Sequence, residues 1–177
     1  MVGLFLFILR CRTRNIIFKR KSANMFLHQK ELTEKQFQII FLLWNKVYPV
    51  AFHFDHWQDL KNYFISYTDH HHILHMKNKS IEGWWCDFIR EDERWFTILV
   101  NNDLHKRGIG RSLVELGRKQ HKSINGWVIE TNELPKIEGD LYQSPMGFYL
   151  KMGFEKTKIN VETNSSIKTV KIRWVNK

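Results

Sequence analysis

The stretch "WFTILVNNDLHKRGIGRSLVELGRKQ" (residues 95–120) constrains the fold more than any other part of the chain. Its opening aromatic and β-branched run reads as a buried strand. Two glycines one residue apart, Gly108 and Gly110, come next, and the apolar-periodic segment from Arg111 reads as a helix. A strand that feeds a helix through a glycine turn belongs to an α/β layer, with the helix packed back on the sheet. The same loop carries Lys106, Arg107 and Arg111. Three uses fit it: an anion cradle at a helix N-terminus, a tight turn that only packs helix on strand, or a basic patch for nucleic acid.

The flanking elements are punctuated by their own chemistry. Thr33 with Gln36 spells a capping box, and Leu32 and Phe37 stand at hydrophobic-staple positions. The helix they open repeats Phe37, Ile40, Phe41, Trp44 and Val47 at helical spacing and stops before Pro49. A second helix is expected over residues 55–66, capped by Asp55 and carrying Leu60 and Phe64. Residues 73–76, "IEGWWCDFI" and "WFTILV" read as strands joined by charged turns. After the glycine loop and its helix, "NGWVIET" reads as a buried strand entered through a glycine turn. "SPMGFYLKMGF" reads as a short helix with Ser144 at the N-cap, Pro145 at N1 and Gly153 past its end. "KINVET", a turn at residues 164–166 and "IKTVKIRWV" make a closing hairpin.

Charge distribution bears on the nucleic-acid option. The net charge is +10, but residues 1–24 hold Arg10, Arg12, Arg14, Lys19, Arg20 and Lys21 and no acid. The remainder carries 22 basic and 18 acidic side chains, a surplus of only four, which is weak support for a nucleic-acid face. The apolar run at residues 2–9 is too short to span a bilayer, and its basic residues follow it rather than precede it, unlike a signal peptide. Residues 1–24 are expected to be a disordered or non-native extension, with Met25 an alternative start; a basic interfacial anchor is the other reading. Residues 25–177 are expected to form one domain. Two cysteines, Cys11 and Cys86, suggest no disulfide framework and fit a reducing cytoplasm.

Taken together, the glycine loop, the strand "WVIETNE" and "SPMGFYLKMGF" resemble the GNAT (GCN5-related N-acetyltransferase) family. That family writes its acetyl-CoA loop R/Q-x-x-G-x-G/A and a later signature close to F-Y-x-K-x-G-F. Here the first runs His105, Lys106, Arg107, Gly108, Ile109, Gly110, and the second runs Phe148, Tyr149, Leu150, Lys151, Met152, Gly153, Phe154. The likeness covers residues 31–177. His105 departs from the usual Arg or Gln, and the stretch after Asn132 is longer than the family's typical connection. A dinucleotide loop fits less well because Leu113 fills the third glycine position, and no G-K-[ST] follows for a Walker loop.

The resemblance implies an α/β fold: a mixed, mostly antiparallel sheet of about six to seven strands, splayed at the cofactor site and flanked by about four helices. It implies an N-acetyltransferase that moves acetyl from acetyl-CoA, with no metal, to a primary amine on a small molecule or peptide. Amides of His105, Lys106, Arg107, Gly108, Ile109 and Gly110, extended to Arg111 and Ser112, would hold the pyrophosphate, while Leu99 and Val100 would pair with the pantetheine arm. Tyr149 would protonate the departing thiolate, its reference pKa of about 10 lying near a thiol's; the ordinary alternative is an aromatic anchor. Asn132 would hydrogen-bond the pantetheine or Tyr149, or simply end a strand. Glu130 is the first candidate for the general base, with a salt-bridged strand carboxylate as its plain alternative. The expected molecule is a cytoplasmic monomer or homodimer that binds neither nucleic acid nor membrane. A CoA-binding module of the same fold without catalysis is the competing function.

Six of the nine histidines fall in "FHFDHW" and "DHHHILH". His70, His71 and His72 are consecutive at a strand entrance and cannot face one point, so they do not spell a metal site. Trp84, Trp85 and Trp95 read as sheet packing rather than a base-stacking platform.

Overall fold

A computed structural model describes residues 25–162 and 167–176. The expectations for residues 1–24 and for the turn at 164–166 lie outside these residues. The elements are β1 (Met25–Gln29), α1 (Glu34–Val47), α2 (Trp57–Ile65), β2 (Thr68–Lys77), β3 (Ser80–Arg90), β4 (Glu93–Val100), α3 (Ile109–Arg118), β5 (Ser123–Ile129), α4 (Met146–Lys151), β6 (Glu155–Glu162) and β7 (Lys168–Val175). The strands form one seven-stranded sheet in the order β1-β2-β3-β4-β5-β7-β6, antiparallel except for the β4–β5 pair.

Strand alternation deals the apolar side chains to two faces. Trp84, Cys86, Phe88, Trp95 and Leu99 join Ile40, Leu43 and Trp44 of α1 and Leu60 and Phe64 of α2. Trp85, Phe96, Ile124 and Ile172 face the other way, onto Ile109, Leu113 and Val114 of α3 and Tyr149 of α4. The result is a three-layer α/β molecule with both sheet faces covered.

The Thr33–Gln36 capping box forms as read, Gln36 N donating to Thr33 Oγ1 at 3.2 Å and Thr33 N to Gln36 Oε1 at 2.8 Å. Three local readings change. α2 begins at Trp57, and its N-cap is His56 rather than Asp55, with the His56 amide donating to Asp59 at N3. α4 begins one residue later than read, with Ser144 Oγ accepting from Met146 N. Gly126 is no turn but lies inside β5, where a Cβ would stand 2.7 Å from the Phe96 ring. β1 went unread because its five residues, "MFLHQ", carry no period-two pattern. Both tight hairpin turns, Asn78–Lys79 and Glu91–Asp92, run through left-handed pairs without glycine.

One feature of the sheet positions the site. β4 and β5 pair only at Trp95–Asn125 and Phe96–Gly126. Beyond those pairs the two parallel strands diverge, and the β5-facing edge of residues 97–100 has no strand partner among the described residues.

Candidate active site

The open edge of β4 runs directly into the glycine loop. Leu99 is fully buried toward α1, so only its backbone can face a ligand; Val100 is half-buried. After a single 3-10 turn at Asn102–Leu104, Lys106 and Gly108 both take left-handed conformations, with φ of 63° and 84°. A Cβ at Gly108 would meet nothing within 4 Å, so the glycine there answers to its φ and not to crowding. Alternating left- and right-handed residues turn successive amides toward one side, which makes a concave anion site.

The amides show it. The His105 N–H donates to Asn102 O (3.1 Å) and the Ser112 N–H to Gly108 O (3.0 Å), but among the described residues those from Lys106 to Arg111 have no protein acceptor. These six donors sit on the N-terminus of the ten-residue α3, whose dipole favours negative charge. The expectation for His105 and Ser112 therefore narrows to their side chains, since both amides are already engaged. Ile109 is buried and offers backbone only; Lys106, Arg107 and the Arg111 side chain are exposed, Arg111 pairing loosely with Glu115 at 3.9 Å. The His105 imidazole turns back, its Nε2 lying 3.2 Å from the Val100 carbonyl oxygen, and so ties the loop to the end of β4.

On the β5 side, Tyr149 is brought to the cleft by α4. Its ring packs against Phe96, Phe148 and Phe154. Burial, reinforced by the nearby phenols of Tyr48 and Tyr142, pushes its pKa well above the usual tyrosine value. Tyr149 is thus a protonated hydrogen-bond donor throughout the neutral range. Asn132 Oδ1 accepts from Ser144 N at 2.7 Å, which directs the chain into α4 and leaves only the side-chain amide nitrogen for other partners.

Glu130 is held between Lys156 and Lys168, the latter at 3.2 Å. Hydrogen bonds from these lysines lower its pKa, so the carboxylate has little affinity for an ammonium proton. That is the plain alternative weighed for this residue, and it weakens the general-base role.

Two residues that motif reading missed, Tyr48 and Tyr142, lie close enough to Tyr149 to help raise its pKa. Tyr48, at the end of α1, packs tilted against Trp44 with ring centroids 4.4 Å apart and has its pKa raised by burial, with Thr97 of β4 opposing. Tyr142 is buried with Ile129 and Ile167, and Tyr48 packs on the same cluster. No local pattern marks Tyr48 or Tyr142, because what unites them is tertiary.

His70, His71 and His72 lie toward the opposite end of the sheet, whereas His53 Nε2 lies 3.0 Å from the Tyr48 carbonyl oxygen and His75 stands opposite Gly83, near the end of β4. Asp87, fully buried, accepts from Trp85 Nε1 (2.8 Å), His121 Nε2 (3.0 Å), His71 Nδ1 (3.1 Å) and Arg94 Nη1 (3.1 Å). Burial alone would raise its pKa, but the bonds from His121, His71 and Trp85 hold it well below the usual carboxylate range. Trp84 Nε1 donates to His72 Nδ1 at 3.2 Å. Among the described residues no three His, Cys, Asp or Glu side chains converge as a metal-binding group would. Two shallow cavities of about 390 and 490 Å³ also lie at this far end, around Asp92 and Arg94 and around Tyr67 and Arg90.

No family model and no curated protein matches the chain. Solved structures do. An aminoglycoside 6'-N-acetyltransferase complexed with coenzyme A aligns with a TM-score of 0.65 at 11% identity, over 85% of this chain and 96% of its own. The aminoglycoside 6'-N-acetyltransferase from Enterococcus faecium aligns at 0.63 and 10% identity, over 85% and 96%. The ribosomal-protein-S18-alanine N-acetyltransferase from Escherichia coli aligns at 0.58 and 16% identity, over 85% and 94%. The chain has the GNAT fold. Among the described residues no helix is long and apolar enough to cross a membrane.

Proposed function

We propose that the chain is an N-acetyltransferase that uses acetyl-CoA and transfers acetyl directly to a primary amine of a small molecule or peptide. The observation that carries this reading is the run of six unpaired amides, Lys106 to Arg111, at the end of a strand whose edge lies open beyond Phe96. That pairing of features fits a pantetheine pyrophosphate: an extended arm needs a free strand edge, and two phosphates need converging N–H donors. The coenzyme A complex of a structural neighbour supports the same assignment.

Bound acetyl-CoA would supply the activated acyl group. The chain's own residues do the rest. Backbone groups of Leu99 and Val100 orient the arm, and the amides of residues 106–111 hold its diphosphate, helped by the exposed charges of Lys106, Arg107 and Arg111. Tyr149 keeps its proton at neutral pH and offers it to the leaving sulfur. Its raised pKa makes it a hydrogen-bond donor to the departing sulfur; the proton the thiol finally carries is the one the attacking amine gives up, relayed through the phenol, which ends the cycle protonated. Asn132 fixes the approach of α4, and with it Tyr149. Glu130 can act as base only after one of its lysines is displaced.

A second reading, a CoA-binding module without transferase activity, is favoured by that locked Glu130 carboxylate. We place residues 25–177 as one domain, monomeric or homodimeric, in a reducing cytoplasm, where the buried free thiol of Cys86 is compatible. Calorimetry with acetyl-CoA, using RNA as control, on a chain beginning at Met25 tests the readings. Absent acetyl-CoA binding sinks both. Binding followed by amine-dependent CoA release supports the transferase, and binding with slow, acceptor-independent release supports the module.

A further inference from the structure

The segment after β5 is longer than a connection to α4 needs, and it is ordered by its own hydrogen bonds. Glu133 N donates to Tyr142 O and Tyr142 N to Leu134 O, both at 2.8 Å; Lys136 N donates to Asp140 O at 3.0 Å, and Gly139 closes the tip with φ of 84°. This is a small hairpin, residues 133–142, rooted at the end of β5. Its base is stitched to the loop after α1 by Val50 N donating to Pro135 O at 3.0 Å.

Its tip reaches the other strand of the splay. Lys46, at the end of α1, lies 3.5 Å from Glu138 at the tip and 3.1 Å from Asp103, just past β4. One ammonium therefore joins the β5-rooted hairpin to the β4-rooted loop, across the gap where the strands part. Beneath this bridge Tyr142 is 7% exposed and packs with Ile129 and Ile167, while Tyr48 and Phe52 border the same cluster. Both carboxylates of the bridge are more than half exposed. An exposed ion pair of this kind holds weakly and is loosened by salt, as a latch that opens must be.

We propose that the 133–142 hairpin is a gate over the acceptor side of the cleft, latched by Lys46, and that Tyr142 limits the size of the amine admitted. The inference rests on the transferase reading and extends it to acceptor selection. Closed, the gate keeps water and bulky amines from the thioester; open, it admits the acceptor between Tyr48 and Tyr142.

Hydrogen exchange read by mass spectrometry tests the latch. In Lys46→Met, and independently in Glu138→Gln, exchange across residues 133–142 should rise about two- to fivefold while β3 and α3 keep wild-type protection. Unchanged exchange in the hairpin of both variants overturns the latch. Tyr142→Ala tests the size limit through acetyl-CoA hydrolysis by water and acetylation of two probes, alaninamide and the tripeptide amide Ala-Phe-Phe-NH₂. Hydrolysis should rise at least fivefold, and the rate ratio of large to small probe should rise with it. Tyr142→Phe, which keeps the ring, should behave as wild type. Binding of acetyl-CoA with hydrolysis and ratio unchanged in Tyr142→Ala overturns the gate. Failure of every form to bind acetyl-CoA overturns the transferase reading instead.

Discussion

In the proposed transferase Tyr149 serves the leaving sulfur, and its surroundings set its protonation state. A phenol among Phe96, Phe148 and Phe154 is desolvated and stays protonated. Tyr149→Phe keeps that packing and removes only the hydroxyl, so kcat should fall about 100-fold, within the range for a lost general acid, with the acetyl-CoA Kd unchanged within about twofold. Steady-state kinetics and calorimetry read the two numbers. Because the shift is upward, no loss of rate from Tyr149 ionisation should appear below about pH 10, the ordinary tyrosine value. His105 is a different case. Its imidazole bonds the Val100 carbonyl, and one such bond is worth about 1 kcal/mol, or about fivefold in affinity. His105→Ala should raise the acetyl-CoA Kd by about that factor, and His105→Gln, which retains a side-chain N–H donor, should recover most of it.

At the scale of elements, α3 must lie close on the sheet for its N-terminus to meet the end of β4. Gly117 makes that approach possible: a Cβ there would overlap the Trp85 indole. The indole is itself wedged against Phe96, with ring centroids 4.6 Å apart, so it has nowhere to go. Gly117→Ala should therefore lower the unfolding free energy in urea by about 3 kcal/mol, an overpacking cost at the upper end of the usual range. An unchanged midpoint would show that α3 slides freely on β3. Elements of this kind were legible in the sequence wherever their signals are local. The capping box at Thr33 and Gln36, the glycine loop and "FYLKMGF" each write their structure within a few residues. Gly126 misled because a glycine that clears a ring from a neighbouring strand looks, in one dimension, like a turn. Glu130 could be named from its place after β5, but the lysines that occupy it come from 26 and 38 residues away.

For the whole molecule, the buried histidines and Asp87 make stability depend on pH with a definite sign. His72 is desolvated beside Trp84, and its pKa falls from 6.5 to about 3. The unfolded chain binds a proton at His72 below about pH 6.5 that the folded one refuses, so stability is full above that pH and declines as acid is added. One such group contributes up to about 1.4 kcal/mol per pH unit, and His75, lowered by burial as well, acts in the same direction. Asp87, depressed against its burial by the bonds from His121, His71 and Trp85, adds its share only below about pH 4, where the unfolded carboxyl takes up its proton. His72→Gln, which can keep an acceptor for the Trp84 indole, should flatten the slope of unfolding free energy between pH 6.5 and 4 by close to one proton, measured by urea titrations across that range. This histidine and carboxylate chemistry lay hidden in the sequence because its partners come from β2, β3, β4 and the turn after α3. The same sheet that buries it at one end opens at the other, and the central claim is that the opening and the amides of residues 106–111 hold acetyl-CoA. The most direct measurement is the backbone amide spectrum during titration with acetyl-CoA. The prediction is saturable downfield shifts of the amide protons from Lys106 to Arg111, with changes along residues 97–100 and none around Asp87; an unchanged spectrum, or shifts gathered at the Glu91–Asp92 end, would contradict it.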